Sequence, residues 1–214
     1  DKTSIIPYGL DKAAYPVPSP ARSAQWRQRF GERFFLFVGV MRYYKGLHIL
    51  LEAAKGTGYP IVIVGSGPLE LELRAQAQAL GLNHVHFVGR VDDDDKVALL
   101  QLCSAMVFPS HLRSEAFGIS LLEGAMYGKP MISSEIGTGT SYINVHNQTG
   151  LVVPPSDPQA FREAMRTLWD NPPLAAQMGL QAERRYEQLF TAERMGQQIA
   201  ALYRELLESK RAPA

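Results

Sequence analysis

Residues 34–68 read FFLFVGVMRYYKGLHILLEAAKGTGYPIVIVGSGP, an apolar run, a helical pattern and a second apolar run. Phe34–Val40 and Ile61–Val64 are almost continuously apolar, which is typical of strands buried on both faces of a parallel sheet. Between them, Lys45–Lys55 places its leucines on one face of a helix. The stretch therefore predicts the strand–helix–strand unit of an α/β protein.

The same alternation continues to residue 153. Strands are predicted at Val85–Val88, Ala105–Phe108, Pro130–Ser133 and Gly150–Val153, and helices at Leu69–Leu80, Asp93–Cys103 and Phe117–Tyr127. Strict alternation of this kind indicates a doubly wound architecture. We therefore expect a Rossmann-like α/β domain with a parallel sheet of about six strands and helices on both faces.

The two ends of the chain have different patterns. Residues 1–32 are predicted to be a linker and entry segment, and residues 33–156 the Rossmann-like core. The entry segment has a predicted strand at Ser4–Gly9 and an extended stretch at Ala13–Ala21, where alternating prolines disfavour a helix. Residues 157–214 are predicted to be a C-terminal helical extension that packs on the core or on a neighbouring domain. Its helices are expected at Asp157–Trp169, Pro173–Leu189 and Ala192–Ser209.

Composition excludes several classes of protein. The 214 residues carry 22 basic and 21 acidic side chains, and a net charge of +1 is too even for a typical nucleic-acid binder. A hydrophobic fraction of 46% is ordinary for a folded domain. The longest apolar run, Phe34–Met41, is far shorter than the roughly 20 residues that cross a bilayer. Cys103 is the single cysteine and has no partner for an intrachain disulfide, so we expect a reducing compartment.

The loops that follow the strands hold the candidate ligand-binding residues, because parallel sheets bind ligands at the carboxyl ends of their strands. Arg42 and Lys45 follow the first core strand and offer a guanidinium fork and an ammonium, a pair that suits a diphosphate. Solvated surface charge is the alternative explanation for both. The neighbouring Tyr43 and Tyr44 are expected to pack rather than to stack on a ligand.

The segment Gly65-Ser66-Gly67-Pro68 follows a strand and opens a helix. Glycines there let a backbone approach a phosphate or a sugar closely. The segment lacks the third glycine of a dinucleotide-binding loop, since that position is Glu70. A plain strand-to-helix turn remains the alternative.

Two carboxylates flank the start of a predicted helix. Glu115 lies in the loop before it, and Glu123 lies about two turns into it. Between them, Phe117–Ser120 offers the unpaired N–H groups of a helix N-terminus, which favour a phosphate. Carboxylates accept hydrogen bonds from sugar and ribose hydroxyls. Together these groups fit a nucleotide sugar that lies across the helix end.

Other polar clusters have simpler explanations. The acidic run Asp92–Asp95 is expected to be a helix N-terminus, with its first residue as the N-cap, rather than a metal site. His84 and His86 are expected to share a strand face, where packing is favoured over metal binding. His111 is the histidine that merits a test, and Cys103 is expected to be a buried helix residue.

Several segments in order resemble the donor domain of retaining GT-B glycosyltransferases of family four. Glu115 and Glu123, with Phe117-Gly118 between them, resemble the E-x7-E motif of that family. Ser4–Asp11, SIIPYGLD, is similar to the I-P-N-G-V-D segment near the middle of those enzymes. Further similar blocks lie at Phe37–Ala53, Val64–Pro68, His86–Val91, Met106–Ser110 and Thr149–Pro154. The resemblance covers nearly the whole chain and implies one half of a GT-B fold.

The resemblance also implies roles. Lys45, with Arg42 as a second candidate, would bind the donor diphosphate, and Glu115 would accept hydrogen bonds from the donor sugar, which makes these three the candidate catalytic residues. Glu123 would bind the ribose hydroxyls. The remaining donor-binding candidates are the base-lining backbone of Arg90 and Val91, the cleft glycines Gly39, Gly65 and Gly67, and the helix-end backbone of Phe117, Gly118, Ile119 and Ser120.

Two positions depart from the pattern of the family. The diphosphate arginine usually follows the glycine of G-R-x-x-x-x-K-G directly, whereas here Val40 has that position and the arginine is Arg42. The family often has Gly-Gly-x-x-Glu after the fifth strand, whereas residues 137–140 are Gly-Thr-Gly-Thr without a matching acid. The segment Ile136–Asn144 is similar to the corresponding segment of bacterial enzymes that build mannose- or rhamnose-containing surface polysaccharide.

The resemblance implies the donor domain of a retaining hexosyltransferase. It is expected to bind a nucleoside-diphospho-sugar, with GDP-mannose or a related GDP-sugar as the first choice, and to need no metal or cofactor. The chain opens at Asp1 without a methionine, so an N-terminal acceptor domain is expected to lie outside it, and the chain is not expected to be active alone. The acceptor is expected to be a saccharide or a lipid-linked saccharide, and the full enzyme to be cytoplasmic or peripheral at the inner face of the membrane. A non-catalytic nucleotide-sugar-binding module and a GT-B sugar-nucleotide epimerase are the alternatives.

Overall fold

A computed structural model describes residues 3–211 and contains a six-stranded sheet in the order β3-β2-β1-β4-β5-β6. All strand pairs are parallel. The strands are β1 (Phe35–Val38), β2 (Ile61–Val64), β3 (Val85–Gly89), β4 (Ala105–Phe108), β5 (Met131–Ser134) and β6 (Gly150–Val153). The helices are α1 (Pro20–Phe30), α2 (Leu47–Ala54), α3 (Glu70–Ala79), α4 (Asp93–Leu102), α5 (Ile119–Met126), α6 (Thr140–Ile143), α7 (Pro158–Asp170), α8 (Pro172–Leu189) and α9 (Ala192–Arg211). The predicted Rossmann-like α/β class is confirmed.

Apolar side chains on both faces of the strands explain the two layers of helices. Phe35 and Phe37 of β1 pack in a core with α2 and α7, while Leu36, between them, packs in a second core with α4 and α5. All three side chains are fully buried. Successive residues of a strand face opposite sides of the sheet, so a continuous apolar run requires a cover on each side.

The direction in which successive strands are added to the sheet changes between β1 and β4. Strands β1, β2 and β3 extend in one direction, and β4, β5 and β6 extend in the other. The loops after β1 and β4 therefore leave the sheet toward opposite layers and leave a crevice between them. This switch point is where open α/β sheets bind ligands.

The strand predicted at Ser4–Gly9 is wrong. The chain there forms no strand, and Leu10 instead bridges to Thr191, donating its N–H to the carbonyl of Phe190 at 2.9 Å. The hydroxyl of Tyr186 donates to the Leu10 carbonyl at 3.0 Å. Pro7 lacks an N–H for a strand ladder, and the segment pairs with the junction of α8 and α9 instead of the sheet.

The extended stretch predicted at Ala13–Ala21 is also shorter than expected. Lys12–Ala14 forms a single 3-10 turn, and Pro20 is the first residue of α1. Proline is accepted in the first turn because its missing N–H has no intrahelical partner there. Ser19 caps the helix by accepting from the N–H of Arg22 at 3.3 Å.

Helices α7 and α8 cover the sheet. Phe161, Met165 and Leu168 of α7 are buried in the core with α2, and Ala182 and Tyr186 of α8 are buried in the core with α5. No helix within the described residues is long and apolar enough to cross a membrane.

Candidate functional site

Lys45 and Glu115 form an ion pair at the switch point. Lys45 ends a 3-10 turn after β1, and Glu115 lies in the loop after β4, so the two loops bring together residues 70 positions apart. The ammonium bonds Oε2 of Glu115, and the two side chains are 13% and 10% exposed. The hydroxyl of Ser110 donates to the same carboxylate oxygen at 3.3 Å, and the ring of Phe108 lies 5.0 Å from the ammonium. Two predicted catalytic residues therefore meet as a largely buried ion pair.

The N-terminus of α5 lies directly after this pair. The helix begins at Ile119, not at Phe117 as predicted, because Gly118 adopts a left-handed conformation with φ 95° that a helix cannot include. No side chain caps this end. The first backbone N–H groups that bond within the helix are those of Leu121 and Leu122, so the N–H groups of Ile119 and Ser120 point outward, as at other helix N-termini. The ring of Phe117 packs against Phe190, so only its backbone belongs to the helix end.

Glu123 is buried about one turn into α5, and its carboxylate is held by two donors. The hydroxyl of Tyr15 and the ammonium of Lys96 each lie 3.0 Å from Oε1. Burial lowers the pKa of Lys96, but the carboxylates of Glu123 and Asp93 outweigh it and raise this pKa overall. Burial and the Glu123 carboxylate also raise the pKa of the Tyr15 phenol. Both groups therefore remain protonated donors at neutral pH.

The predicted cleft glycines lie where the loops after β1 and β2 touch. The N–H of Gly39 bonds the carbonyl of Val64 at 3.0 Å. A Cβ on Gly65 would lie 2.0 Å from the Gly39 carbonyl oxygen, and a Cβ on Gly67 would lie 2.5 Å from the carbonyl oxygen of Met41. Only glycine fits these close backbone contacts. The three glycines therefore hold the loop that carries Lys45, whatever contact they make with a ligand.

The other predicted positions lie at the rim. Arg90 is exposed and donates from Nε to the Ser66 hydroxyl at 2.7 Å, which joins the loops after β2 and β3. Val91 is partly buried against the core that contains α4. The guanidinium of Arg42 is exposed, and no hydrogen bond or ion pair joins it to another side chain of residues 3–208. Its role at a diphosphate stays a prediction.

The Gly-Thr-Gly-Thr segment after β5 packs against the loop of Glu115. The N–H of Gly139 donates to the carbonyl of Ala116 at 2.9 Å, and Thr140 is fully buried. Glu135 accepts from the N–H of Gly137 at 2.9 Å and closes the turn. The segment therefore borders the Glu115 loop without the acid that the resemblance would place there.

A cluster of aromatic rings lies beside the Lys45 loop. The ring of Tyr43 stacks on His48 at 5.1 Å, and the ring of His111 meets both edge-on at 5.0 Å. Nδ1 of His111 lies 3.2 Å from the Ser156 hydroxyl, while its Nε2 is buried without a partner among the described residues. Burial lowers the pKa of both histidines below 6.5, and His111 lowers that of His48 further.

The double variant His48→Gln, His111→Gln is expected to weaken the acid sensitivity of the fold. Because the folded-state pKa values lie below the ordinary value, the unfolded chain binds protons that the folded chain does not, and stability is lost as pH falls below 6.5. Each histidine contributes up to about 1.4 kcal/mol per pH unit in that window. Urea unfolding between about pH 7.5 and pH 5.5 measures the slope. Equal slopes for the variant and the wild type would contradict the prediction.

The predictions for the acidic run, for the two histidines near β3 and for Cys103 agree with the structure only in part. The prediction of an N-cap is confirmed, since Asp92 accepts from the N–H of Asp95 at 2.8 Å. The shared strand face of the two histidines is wrong: His84 precedes β3 and lies 3.2 Å from the Ala54 carbonyl, whereas His86 packs on α1. Cys103 is buried one residue beyond α4, and burial raises the pKa of its thiol to about 11.

Three polar residues of the site escaped the sequence analysis. From its sequence position, Lys96 is expected to form a surface ion pair with the acidic residues that begin α4, and its ammonium does lie 3.1 Å from a carboxylate oxygen of Asp93. Tyr15 lies in a proline-rich segment without any periodic pattern. Ser110 directly follows a β-strand and a proline and ends the block Met106–Ser110 that resembles the family, but no role was predicted for it.

Comparison with known proteins places these features in a family. The family model described as Glycosyl transferases group 1 matches residues 20–185. The D-rhamnosyltransferase WbpZ of Pseudomonas aeruginosa is 74% identical over 192 residues, which cover 90% of this chain and 50% of that protein. The O-antigen chain mannosyltransferase C of Escherichia coli is 54% identical over 210 residues, which cover 98% of this chain and 56% of that protein. The chain thus spans about half the length of these curated relatives.

The fold agrees with this assignment. The crystal structure of Anabaena Alr3699/HepE in complex with UDP and glucose has a TM-score of 0.83 at 25% identity, and the match covers 94% of this chain and 56% of that chain. The six-stranded parallel sheet thus matches the Rossmann-like half of GT-B glycosyltransferase structures. With a family match over most of its length and two relatives of high identity, the chain belongs to the glycosyl transferases of group 1.

Proposed function

We propose that this chain binds a nucleoside-diphospho-sugar at the crevice between β1 and β4. The Lys45–Glu115 pair carries this proposal, because it joins a cation for phosphate and an acceptor for sugar hydroxyls at the switch point of the sheet. The N-terminus of α5, beside the pair, favours the same anion. The ligands of the HepE structure, UDP and glucose, are the components of such a donor.

The arrangement suits cleavage of a sugar–diphosphate bond. As the bond between the anomeric carbon and the phosphate oxygen breaks, negative charge grows on the leaving diphosphate. Lys45 and the outward N–H groups at Ile119 and Ser120 stabilise that charge without reorganisation. Glu115 accepts hydrogen bonds from the sugar hydroxyls and orients the ring; it is not assigned as a nucleophile. The acceptor oxygen attacks from the side of the leaving group, its proton passes to the diphosphate, and the configuration of the sugar is retained.

The other groups hold the nucleoside. Glu123 accepts from the ribose hydroxyls, and the backbone near Arg90 and Val91 lines the base. The names of the relatives, a rhamnosyltransferase and a mannosyltransferase, support a GDP-linked mannose or deoxymannose as the donor. The acceptor is proposed to be a saccharide or lipid-linked saccharide bound on a second, N-terminal domain, in a full enzyme that is cytoplasmic or peripheral at the inner face of the membrane. Lys45 and the N–H groups of Ile119 and Ser120 are proposed to stabilise the charge on the leaving diphosphate without a metal cofactor.

A panel of nucleotide sugars tests donor binding by this chain. GDP-mannose at about one hundred times its Kd is expected to stabilise the fold by about 2.7 kcal/mol. For a chain of this length that corresponds to a rise in Tm of roughly 5–10 °C, with smaller shifts for UDP-glucose and ADP-glucose. Differential scanning fluorimetry measures the shifts. Equal, negligible shifts for all three compounds would rule out a donor site on this chain.

A transfer assay separates an enzyme from a module that only binds. The longer protein, with its acceptor domain, is expected to consume GDP-mannose in the presence of a mannose-terminated oligosaccharide and to release GDP. Binding without any transfer or hydrolysis by the longer protein would favour the binding module.

A further inference from the structure

Tyr15, Lys96 and Glu123 form a closed triangle of contacts. Both donors reach Oε1 of Glu123 at 3.0 Å, and the Lys96 ammonium also lies 5.2 Å from the centre of the Tyr15 ring. The three residues come from different elements: the segment before α1, the first turn of α4, and the middle of α5. The edge of the Tyr127 ring, 6.3 Å from the Tyr15 ring, closes the other side.

The triangle uses only one oxygen of the carboxylate. Both donors contact Oε1, and the closest approach of each donor to the carboxylate is at that oxygen. Glu123 itself is only 6% exposed, so few orientations of its side chain are open to it. A carboxylate has about four acceptor positions, so Oε2 keeps its capacity for a further donor.

We propose that Lys96 and Tyr15 are positioning residues that fix the Glu123 carboxylate so that Oε2 receives a ribose hydroxyl of the donor. This inference rests on the proposed function, in which Glu123 binds ribose. Lys96 also supplies the counter-charge that a buried carboxylate requires. Because Lys96 belongs to the helix that follows the base-lining loop, the triangle couples the position of the base to that of the ribose contact.

The test is the penalty for removing a ribose hydroxyl. Calorimetric titration of the 214-residue chain compares GDP, UDP and ADP with the 2′-deoxy and 3′-deoxy form of each. For wild type, loss of the hydroxyl that donates to a carboxylate is expected to weaken binding about tenfold or more. In Lys96→Met the affinity for the parent diphosphate falls, and the penalty shrinks to less than about threefold, because the carboxylate is no longer held in place.

Three further variants separate positioning from a general loss of structure. Tyr15→Phe removes one of the two donors and is expected to give an intermediate penalty. Asp93→Asn removes only the outer partner of Lys96, which is exposed, and is expected to keep the wild-type penalty. Lys96→Arg is expected to restore most of it, since the cation is retained. A merely structural role would weaken all the nucleotides alike and leave the ratio of parent to deoxy affinity unchanged.

Each outcome bears on a different claim. If Lys96→Met and Tyr15→Phe both lose as much affinity as wild type when the ribose hydroxyl is removed, the positioning role is wrong. If Lys96→Met does not fold, the result for Tyr15→Phe decides alone. Wild-type binding without any deoxy penalty also overturns the inference, while the proposed function stands. If wild type binds none of the three diphosphates, the proposed function itself is wrong.

Discussion

Lys45→Ala in a longer protein that includes the proposed acceptor domain is expected to lower kcat/KM for the proposed sugar transfer by about 10²–10³-fold. The loss arises because the leaving diphosphate loses a cation that is held in place before the reaction. Glu115→Ala is expected to cause a loss of similar size, because the donor sugar loses its orienting acceptor. Radiolabelled sugar transfer under kcat/KM conditions measures both.

The same ion pair affects stability, which has to be separated from catalysis. Lys45 and Glu115 are almost buried, so removal of one partner leaves an unpaired charge and is expected to lower the free energy of unfolding by about 3–5 kcal/mol. The double variant Lys45→Met, Glu115→Gln removes both charges and is expected to unfold within about 1 kcal/mol of wild type. It is nevertheless expected to be inactive in transfer.

A matched control shows that charge alone is not the cause. Lys55 is exposed at the end of α2, and Lys55→Met is expected to change the stability by less than about 0.5 kcal/mol and to leave transfer intact. Near-normal turnover in the folded double variant would show that the pair serves the fold and not the reaction.

Gly65→Ala is expected to lower the free energy of unfolding by about 3 kcal/mol or more. Gly65 has φ +125°, and a Cβ there would lie 2.0 Å from the carbonyl oxygen of Gly39, so the backbone has to move. Because Gly39 begins the loop that carries Lys45, the displacement is also expected to weaken nucleotide binding. Urea unfolding at an unchanged m value measures the loss.

Gly81→Ala is the matched control for this effect. Gly81 also has a positive φ, +67°, but nothing lies within 4 Å of a Cβ built there. Its substitution is expected to cost about 1–2 kcal/mol from backbone conformation alone. The difference between the two variants therefore combines the steric contact with Gly39 and the stricter backbone requirement at φ +125°, and equal losses would show that neither is important.

Local patterns predicted most of the fold. The apolar runs located the six strands to within a few residues, because burial on both faces leaves a signal in each strand by itself. Asp92 was identified as an N-cap for the same reason, since its partner is three residues away. The strand predicted at Ser4–Gly9 failed because an isolated apolar segment carries no information about which element it pairs with.

Position after a strand predicted much of the candidate site. Lys45 and Glu115 were selected because each follows a strand at the carboxyl edge of the sheet, and both lie there. Their direct contact is a property of the strand order, which places β1 beside β4 although two strands separate them in the chain. No spacing rule relates residues that are 70 positions apart.

The sequence by itself determined the class of the domain, the two carboxylates eight positions apart and the cation of the first loop. These are short-range patterns of polarity, helix period and turn chemistry, which neighbouring residues impose on each other. Only the tertiary structure decided that Tyr15, 108 residues from Glu123, and Lys96 share one carboxylate oxygen, and that His48 stacks on Tyr43 while His111 meets both rings edge-on. Contacts of this kind depend on how the sheet and its helices pack, since they join side chains that no local interaction brings together.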